Sequence, residues 1–287
     1  MAFILATNTT VQITLSDNDR LYVPRDVTVA VGTQAAVVGD LIDDNAHEVM
    51  VDGALVSGGG NAIILGDDGA GLGSNRLVIG ETGVVRSLNV PGNSAIYMIG
   101  TDSILQNAGE VTGTWGAYLQ DWDDGAILNT GLLQGMQQEG LAAINALNLN
   151  LTNTGQILGA DDALSGNEAD FDRLFNTGEI LGGAEGVGIS IFSTGEGSLI
   201  VNRGLIAGGE AAMQLSDLDD VVRNRGDMDG DVRLGDGADV YNGGRRSEVD
   251  GRIEGEGGDD VLKGGAADEL IFGGDGADEI HGRKGDD

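Results

Sequence analysis

Aspartates and glycines recur between residues 234 and 287 at a spacing that could build oxygen-rich cation sites. Gly255-Glu256-Gly257-Gly258-Asp259-Asp260-Val261-Leu262-Lys263 is followed directly by Gly264-Gly265-Ala266-Ala267-Asp268-Glu269-Leu270-Ile271-Phe272, then by Gly273-Gly274-Asp275-Gly276-Ala277-Asp278-Glu279-Ile280-His281. Gly235-Asp236-Gly237-Ala238-Asp239-Val240-Tyr241 carries the core of the same pattern, with Leu234 in place of the first glycine. Aspartate supplies negative charge on a short stem, and glycine lets backbone carbonyl oxygens converge. Together they suit a hard cation that takes six to eight oxygen ligands. The whole chain makes the same demand: 47 acidic residues against 15 basic ones give a net charge of −32. Such an excess opposes compaction by self-repulsion, and bound divalent cations relieve it.

The repeated unit is Gly-Gly-x-Gly-x-Asp-x-U-x, where U is a large apolar residue. On it, residues 234–287 resemble the RTX (repeats-in-toxin) calcium-binding family. Gly273–His281 matches in full, Gly255–Lys263 lacks only the second glycine, and Gly264–Phe272 has Glu269 where aspartate is expected. The resemblance implies a β-roll in which two nonapeptides make a coil of eighteen residues. Ca2+ would sit between neighbouring turns on one side, held by aspartates and by loop carbonyls such as those of Gly258 and Gly276. Carried over by position, Asp260 and Asp278 stack on one side. Asp239 joins them if the three extra residues near Arg245-Arg246-Ser247 form a bulge. The other side offers Gly251, Glu269 and Asp287, of which only Asp287 keeps the expected type, so one side should bind calcium well and the other weakly. The chain stops six positions into another nonapeptide, Gly282 to Asp287, so more repeats are expected beyond it. The apolar start Ala2 to Ala6 is too short for a signal segment, which alone makes the cytoplasm the default. The resemblance replaces that default with bacterial type I secretion, which needs no N-terminal signal, and an extracellular or cell-surface location.

A longer repeat must position this region. Asn107, Asn129, Asn153, Asn176, Asn202 and Asn224 each begin Asn-x-Gly-x-[Val/Leu/Ile/Met]-x-Gly, at steps of 22, 24, 23, 26 and 22 residues. Period-2 runs such as Leu147-Asn148-Leu149-Asn150-Leu151 mark short strands between glycine turns, and no stretch has a helical period. A unit of this size buries its apolar face only by stacking on its neighbours. The expected fold is therefore all-β: a parallel β-helix with one repeat per coil, right-handed by the crossover rule, continuing into the calcium β-roll. This part resembles bacterial parallel β-helix surface proteins. The asparagines are expected inside a corner as a hydrogen-bonded ladder, with the glycine two residues on supplying a positive φ. Residues 1–50 lack the motif and are expected to cap the first coil, followed by the 51–233 helix and the 234–287 roll.

Composition removes several functions. With 13 Arg and only Lys263 and Lys284 against 47 acids, nucleic acid is excluded as a partner, as is a bare anionic membrane surface. The longest uncharged run, Gly140 to Ala160, is broken by polar residues and does not span a bilayer. There is no Cys, and His47-Glu48 lacks the second histidine of a zinc-protease motif. With no catalytic constellation, a structural or adhesive extracellular protein that self-associates is the first reading. The alternative is a polysaccharide-acting enzyme or carbohydrate-binding module, using Asp121-Trp122-Asp123-Asp124 beside Trp115 and Tyr118.

Overall fold

Short strands separated by glycine turns do stack into one solenoid. The computed structural model describes residues 2–16, 18–39, 46–66, 73–88 and 91–285. Every element in those residues is a β-strand, and none is a helix that could cross a membrane. The strands form three parallel sheets of 13, 10 and 12 strands, and the coils up to the one that holds Glu248–Asp250 pass from the first sheet to the second to the third. The sheets run without a break across residues 50 and 233; residues 2–39 already contribute strands to all three.

Period-2 alternation fills the interior with three aliphatic columns, one per sheet. Leu105, Ile127, Leu151, Leu174, Ile200 and Val222 succeed one another in register along the first. Val85, Val111, Leu133, Ile157, Ile180 and Ile206 do so along the second. All of these are buried, and each buried aliphatic side chain contributes roughly 1.5–3 kcal/mol. The coils hold one another up, because no single coil could close this core.

The asparagine ladder is present and faces inward. Asn107 Nδ2 donates to Asn129 Oδ1 at 2.8 Å, and the relay continues through Asn153, Asn176 and Asn202 to Asn224 at 2.8–3.0 Å. It ends on the Tyr241 hydroxyl, 3.3 Å from Asn224 Nδ2. Each amide from Asn107 to Asn202 also donates to a backbone carbonyl one coil on, for example Asn153 to Glu179 O at 3.1 Å.

The glycine of the motif has a different reason from the one expected. None of Gly109, Gly131, Gly155, Gly178, Gly204 or Gly226 has a positive φ. They form their own column, packed backbone against backbone. A Cβ on Gly155 would lie 2.1 Å from Gly131 O, and one on Gly178 would lie 2.1 Å from Gly155 O. Close approach of successive coils, not corner geometry, demands glycine here.

The cross-section changes near the aspartate motifs. The second sheet ends with Glu248–Asp250, so the three-sheet coil persists to that point rather than to residue 233. Beyond it the coils have two strands each, Arg252–Gly257 then Val261–Lys263, and Leu270–Asp275 then Glu279–His281. Val240 pairs with Val261, a step of 21 residues, whereas Val261 pairs with Glu279, a step of 18. The three extra residues are used to form the strand Glu248–Asp250, and no bulge is needed to bring Asp239 beside Asp260.

Candidate metal centre

In most coils the residue just before the first-sheet strand points into the corner where the chain enters that sheet; Asp172, at the same position, is exposed instead. Along the solenoid this position holds Asp19, His47, Asn75 and Ser103, later Ser198, and then four aspartates in succession: Asp220, Asp239, Asp260 and Asp278. The side chains of Asp19, Asn75, Ser103, Ser198 and the four aspartates each accept from a backbone N–H of the coil before. Asn75 Oδ1 accepts from His47 N, Asp220 Oδ1 from Ser198 N, Asp239 Oδ1 from Asp220 N, Asp260 Oδ1 from Asp239 N, and Asp278 Oδ1 from Asp260 N at 3.1 Å. One oxygen of each aspartate is thus engaged by protein structure.

The second oxygen is the informative one. Asp220 Oδ2 accepts from the Ser216 hydroxyl at 3.3 Å. Asp239 Oδ2 and Asp260 Oδ2 have no hydrogen-bond partner, and both residues are fully buried. A buried carboxylate oxygen without a partner is costly as an anion. Burial, with the charges of Asp220 and Asp260 adding to it, pushes the Asp239 carboxyl up to about 8. Burial likewise raises Asp220 to about 6. It also raises Asp260, whose neighbours Asp278 and Asp259 act in the same direction. Either protons or a cation must compensate this column.

Backbone oxygens converge on the same place. A Cβ on Gly255 would lie 2.2 Å from Asp260 Oδ2 and 2.4 Å from Gly273 O, and one on Gly273 would lie 2.1 Å from Asp278 Oδ2. Gly237, Gly258 and Gly276 stack on this edge: a Cβ on Gly258 would meet Gly237 O at 1.6 Å, and one on Gly276 would meet Gly258 O at 1.8 Å. Carboxylate and carbonyl oxygens around glycine-lined space fit a hard divalent cation with many oxygen ligands. Among the described residues no three His, Cys, Asp or Glu side chains converge on one point, so backbone carbonyls would have to supply much of any such shell. Asp239, Asp260, Asp278, Gly258 and Gly276 lie together on this edge.

The opposite turns are built differently. On the aspartate edge the second and fourth positions of each nonapeptide are left-handed: Gly235 and Gly237, Glu256 and Gly258, Gly274 and Gly276. In the turn leading to Glu269, neither Gly265 nor Ala267 is left-handed. Glu269 itself is buried, and a Cβ on Gly265 would lie 2.8 Å from its Oε1 and 2.5 Å from Ser247 Oγ. The left-handed pair returns at Arg283 and Gly285. Asp287, the remaining residue assigned to this side, lies outside the described residues.

Glu256 is the conspicuous departure, with φ 72° at a position where its neighbours along the edge are glycine. A side chain in this region costs about 1–2 kcal/mol. Glu256→Gly is therefore expected to stabilise the protein by about 1 kcal/mol, less the entropy that glycine adds to the unfolded chain. Urea denaturation of the two proteins measures it, and a destabilised variant would contradict the strain.

Asp220 was not part of the repeat as read from sequence. Its signal is present nonetheless, since Asp220-Val221-Val222 parallels Asp239-Val240-Tyr241. The other acidic cluster resolves as a stitched turn. Asp121 Oδ1 accepts from Asn145 Nδ2, Asp123 Oδ1 from Leu147 N and Asp124 Oδ1 from Asn148 Nδ2, all one coil on. Trp122, between them, is fully buried. Compared with known proteins, the chain matches no family model, no curated protein and no solved structure.

Proposed function

We propose that this chain is a secreted, calcium-binding β-solenoid of RTX type with a structural or adhesive role outside the cell. Calcium orders its aspartate edge, and copies associate with one another. The observation that carries the calcium reading is the pair of buried, unpartnered oxygens, Asp239 Oδ2 and Asp260 Oδ2, facing a glycine-lined edge. The left-handed second and fourth positions, repeated on three successive turns, support an RTX-type loop. Self-association is supported by the acidic surface: contact between copies of a chain with 47 acids against 15 basic residues is repelled until a divalent cation bridges exposed carboxylates such as Asp227 and Asp229.

Calorimetric calcium titration tests the site. Extracellular modules bind calcium at roughly 0.1–1 mM. Asp260→Ala and Asp278→Ala are each expected to weaken binding by about tenfold or more, and Glu269→Ala by less than about threefold. Equal losses in all three would overturn the assignment of sides. Sedimentation of the same samples tests the role: growth with calcium that chelator reverses supports assembly, and a monomer at millimolar calcium opposes it.

A monomeric result would favour the second reading, a polysaccharide-binding or polysaccharide-acting surface. Its support is a cleft of about 310 Å³ on the outer face of the third sheet, lined by Tyr97, Trp115, Tyr118, Asn61, Ser94 and Gln120. Tyr118 packs at 5.6 Å from Tyr97 and edge-on at 5.9 Å from Trp115. Beside them, burial holds the Glu139 carboxyl above the usual carboxylate range, which suits an acid but leaves it without an established partner in catalysis.

A further inference from the structure

Cations are scarce in this chain, yet five of the 15 line one cleft of about 480 Å³: Arg223, Arg225, Arg245, Arg246 and Arg283. The fold places them there from three levels of the stack, at the corner where the chain leaves the first sheet. Arg225 follows the strand Val221–Asn224, Arg245 and Arg246 follow Val240–Gly243, and Arg283 follows Glu279–His281. Arg223 lies on the outward side of Val221–Asn224, with Asn242 next to it in register. Arg283 is anchored across the cleft, donating to Asn242 Oδ1 at 2.9 Å and to the Gly243 carbonyl.

These guanidiniums are set apart from the carboxylates that surround them. Elsewhere Arg20, Arg76, Arg86, Arg233, Arg252 and Lys263 each pair with an acid. Among the described residues, none of the five cleft arginines has a carboxylate within ion-pair distance, although the chain carries 47 acids. Like charges gathered at one exposed site repel one another unless an anion joins them. The second-sheet face beside the corner is acidic, with Asp227 stacked on Glu248 and Asp229 on Asp250, all exposed. A long polyanion leaving the cleft would run onto these carboxylates, whereas a compact one would not. Planar guanidinium forks match the paired oxygens of a tetrahedral oxyanion.

We propose that this cleft binds a compact tetrahedral oxyanion: a sulfate or phosphate group, free or as a sugar ester. The site lies on the opposite corner from the aspartate column and does not rest on the calcium reading.

Sulfate is the practical probe because it stays soluble with millimolar calcium. Calorimetric titration with sodium sulfate, against sodium chloride at matched ionic strength, is expected to give saturable one-to-one binding. The double variant Arg245→Gln/Arg246→Gln should weaken it at least about tenfold, two charge-assisted contacts being lost. Lys263→Gln, a cation outside the cleft, should leave it within about twofold. Circular dichroism confirms that these exposed substitutions leave the fold intact. N-acetylglucosamine 6-sulfate run in parallel separates the sources: tighter binding than sulfate indicates a sugar ester, and equal binding a free anion. No saturable binding of either probe up to about 10 mM, or an unchanged double variant, would overturn the proposal. So would a heparin chain whose affinity rises with its length.

Discussion

Asn153→Leu is expected to destabilise the solenoid by about 3 kcal/mol or more, because it strands polar groups on two sides at once. Asn129 Nδ2 loses its acceptor, Asn176 Oδ1 loses the Asn153 donor, and Glu179 O loses a second donor from Asn153 Nδ2. The position is fully buried, so water cannot replace these partners. Each stranded group costs about 1–3 kcal/mol, partly offset where Asn129 keeps its bond to Gln156 O. Asn107→Leu provides the internal comparison. Its upstream neighbour in register is Ile79, so no ladder donor is stranded behind it; Asn129 Oδ1, Leu132 O and the part-buried N–H of Gly109 lose a partner, and a smaller effect is expected. Urea denaturation of the two variants measures both. Equal costs at the two positions would show that the ladder does not act as a relay, and that each asparagine contributes only through its own corner.

The same residues show how much of the fold was open to reading from sequence. Asparagines at steps of 22 to 26 residues and aliphatic residues at period 2 were enough to give stacked coils and an inward ladder. The spacing fixes which residues are neighbours along the stack. It does not fix how closely coils approach, which is why the glycines after each asparagine were assigned a left-handed turn when they are in fact pressed against the previous coil's carbonyl. The change of cross-section was placed too early for a related reason. Strand Glu248–Asp250 is three residues long, and the insertion Arg245-Arg246-Ser247 that feeds it reads in sequence as turn material. For the candidate site, Asp260 and Asp278 were legible from their step of eighteen. Asp220 was not, because it lies outside the glycine pattern and joins the column only through the register of the three-sheet coils. The arginine corner could not be seen at all, since its members are separated by up to 60 positions and meet only because successive coils turn at the same place.

The calcium-free protein is expected to lose stability as pH rises from about 4 to about 8, the reverse of the usual behaviour of carboxylates stabilised by partners. The cause is the aspartate column. In the folded chain Asp239 titrates at about 8 and Asp220 at about 6, against 3.8 for the free side chain, and Asp260 is raised as well. Between the unfolded and folded values the native state holds more protons than the unfolded state, so unfolding releases protons and is favoured by raising the pH. Each group contributes up to about 1.4 kcal/mol per pH unit across its window. The contribution is fully present below about pH 4 and is lost by about pH 8 for Asp239 and about pH 6 for Asp220. Bound calcium would supply the missing charge in place of the protons, so at millimolar calcium the slope should flatten or reverse, since deprotonated ligands bind the metal better. Thermal melts followed by circular dichroism at pH 5, 6, 7 and 8, with chelator and with calcium, therefore give two curves that diverge towards high pH. Above about pH 7 calcium should raise the melting temperature by several degrees, and near pH 5 by much less. Calcium added at pH 7.5 should also release protons, visible as a binding enthalpy that changes with the ionisation enthalpy of the buffer. Melting curves with the same pH dependence in chelator and in calcium would remove the aspartate column as the metal's binding edge.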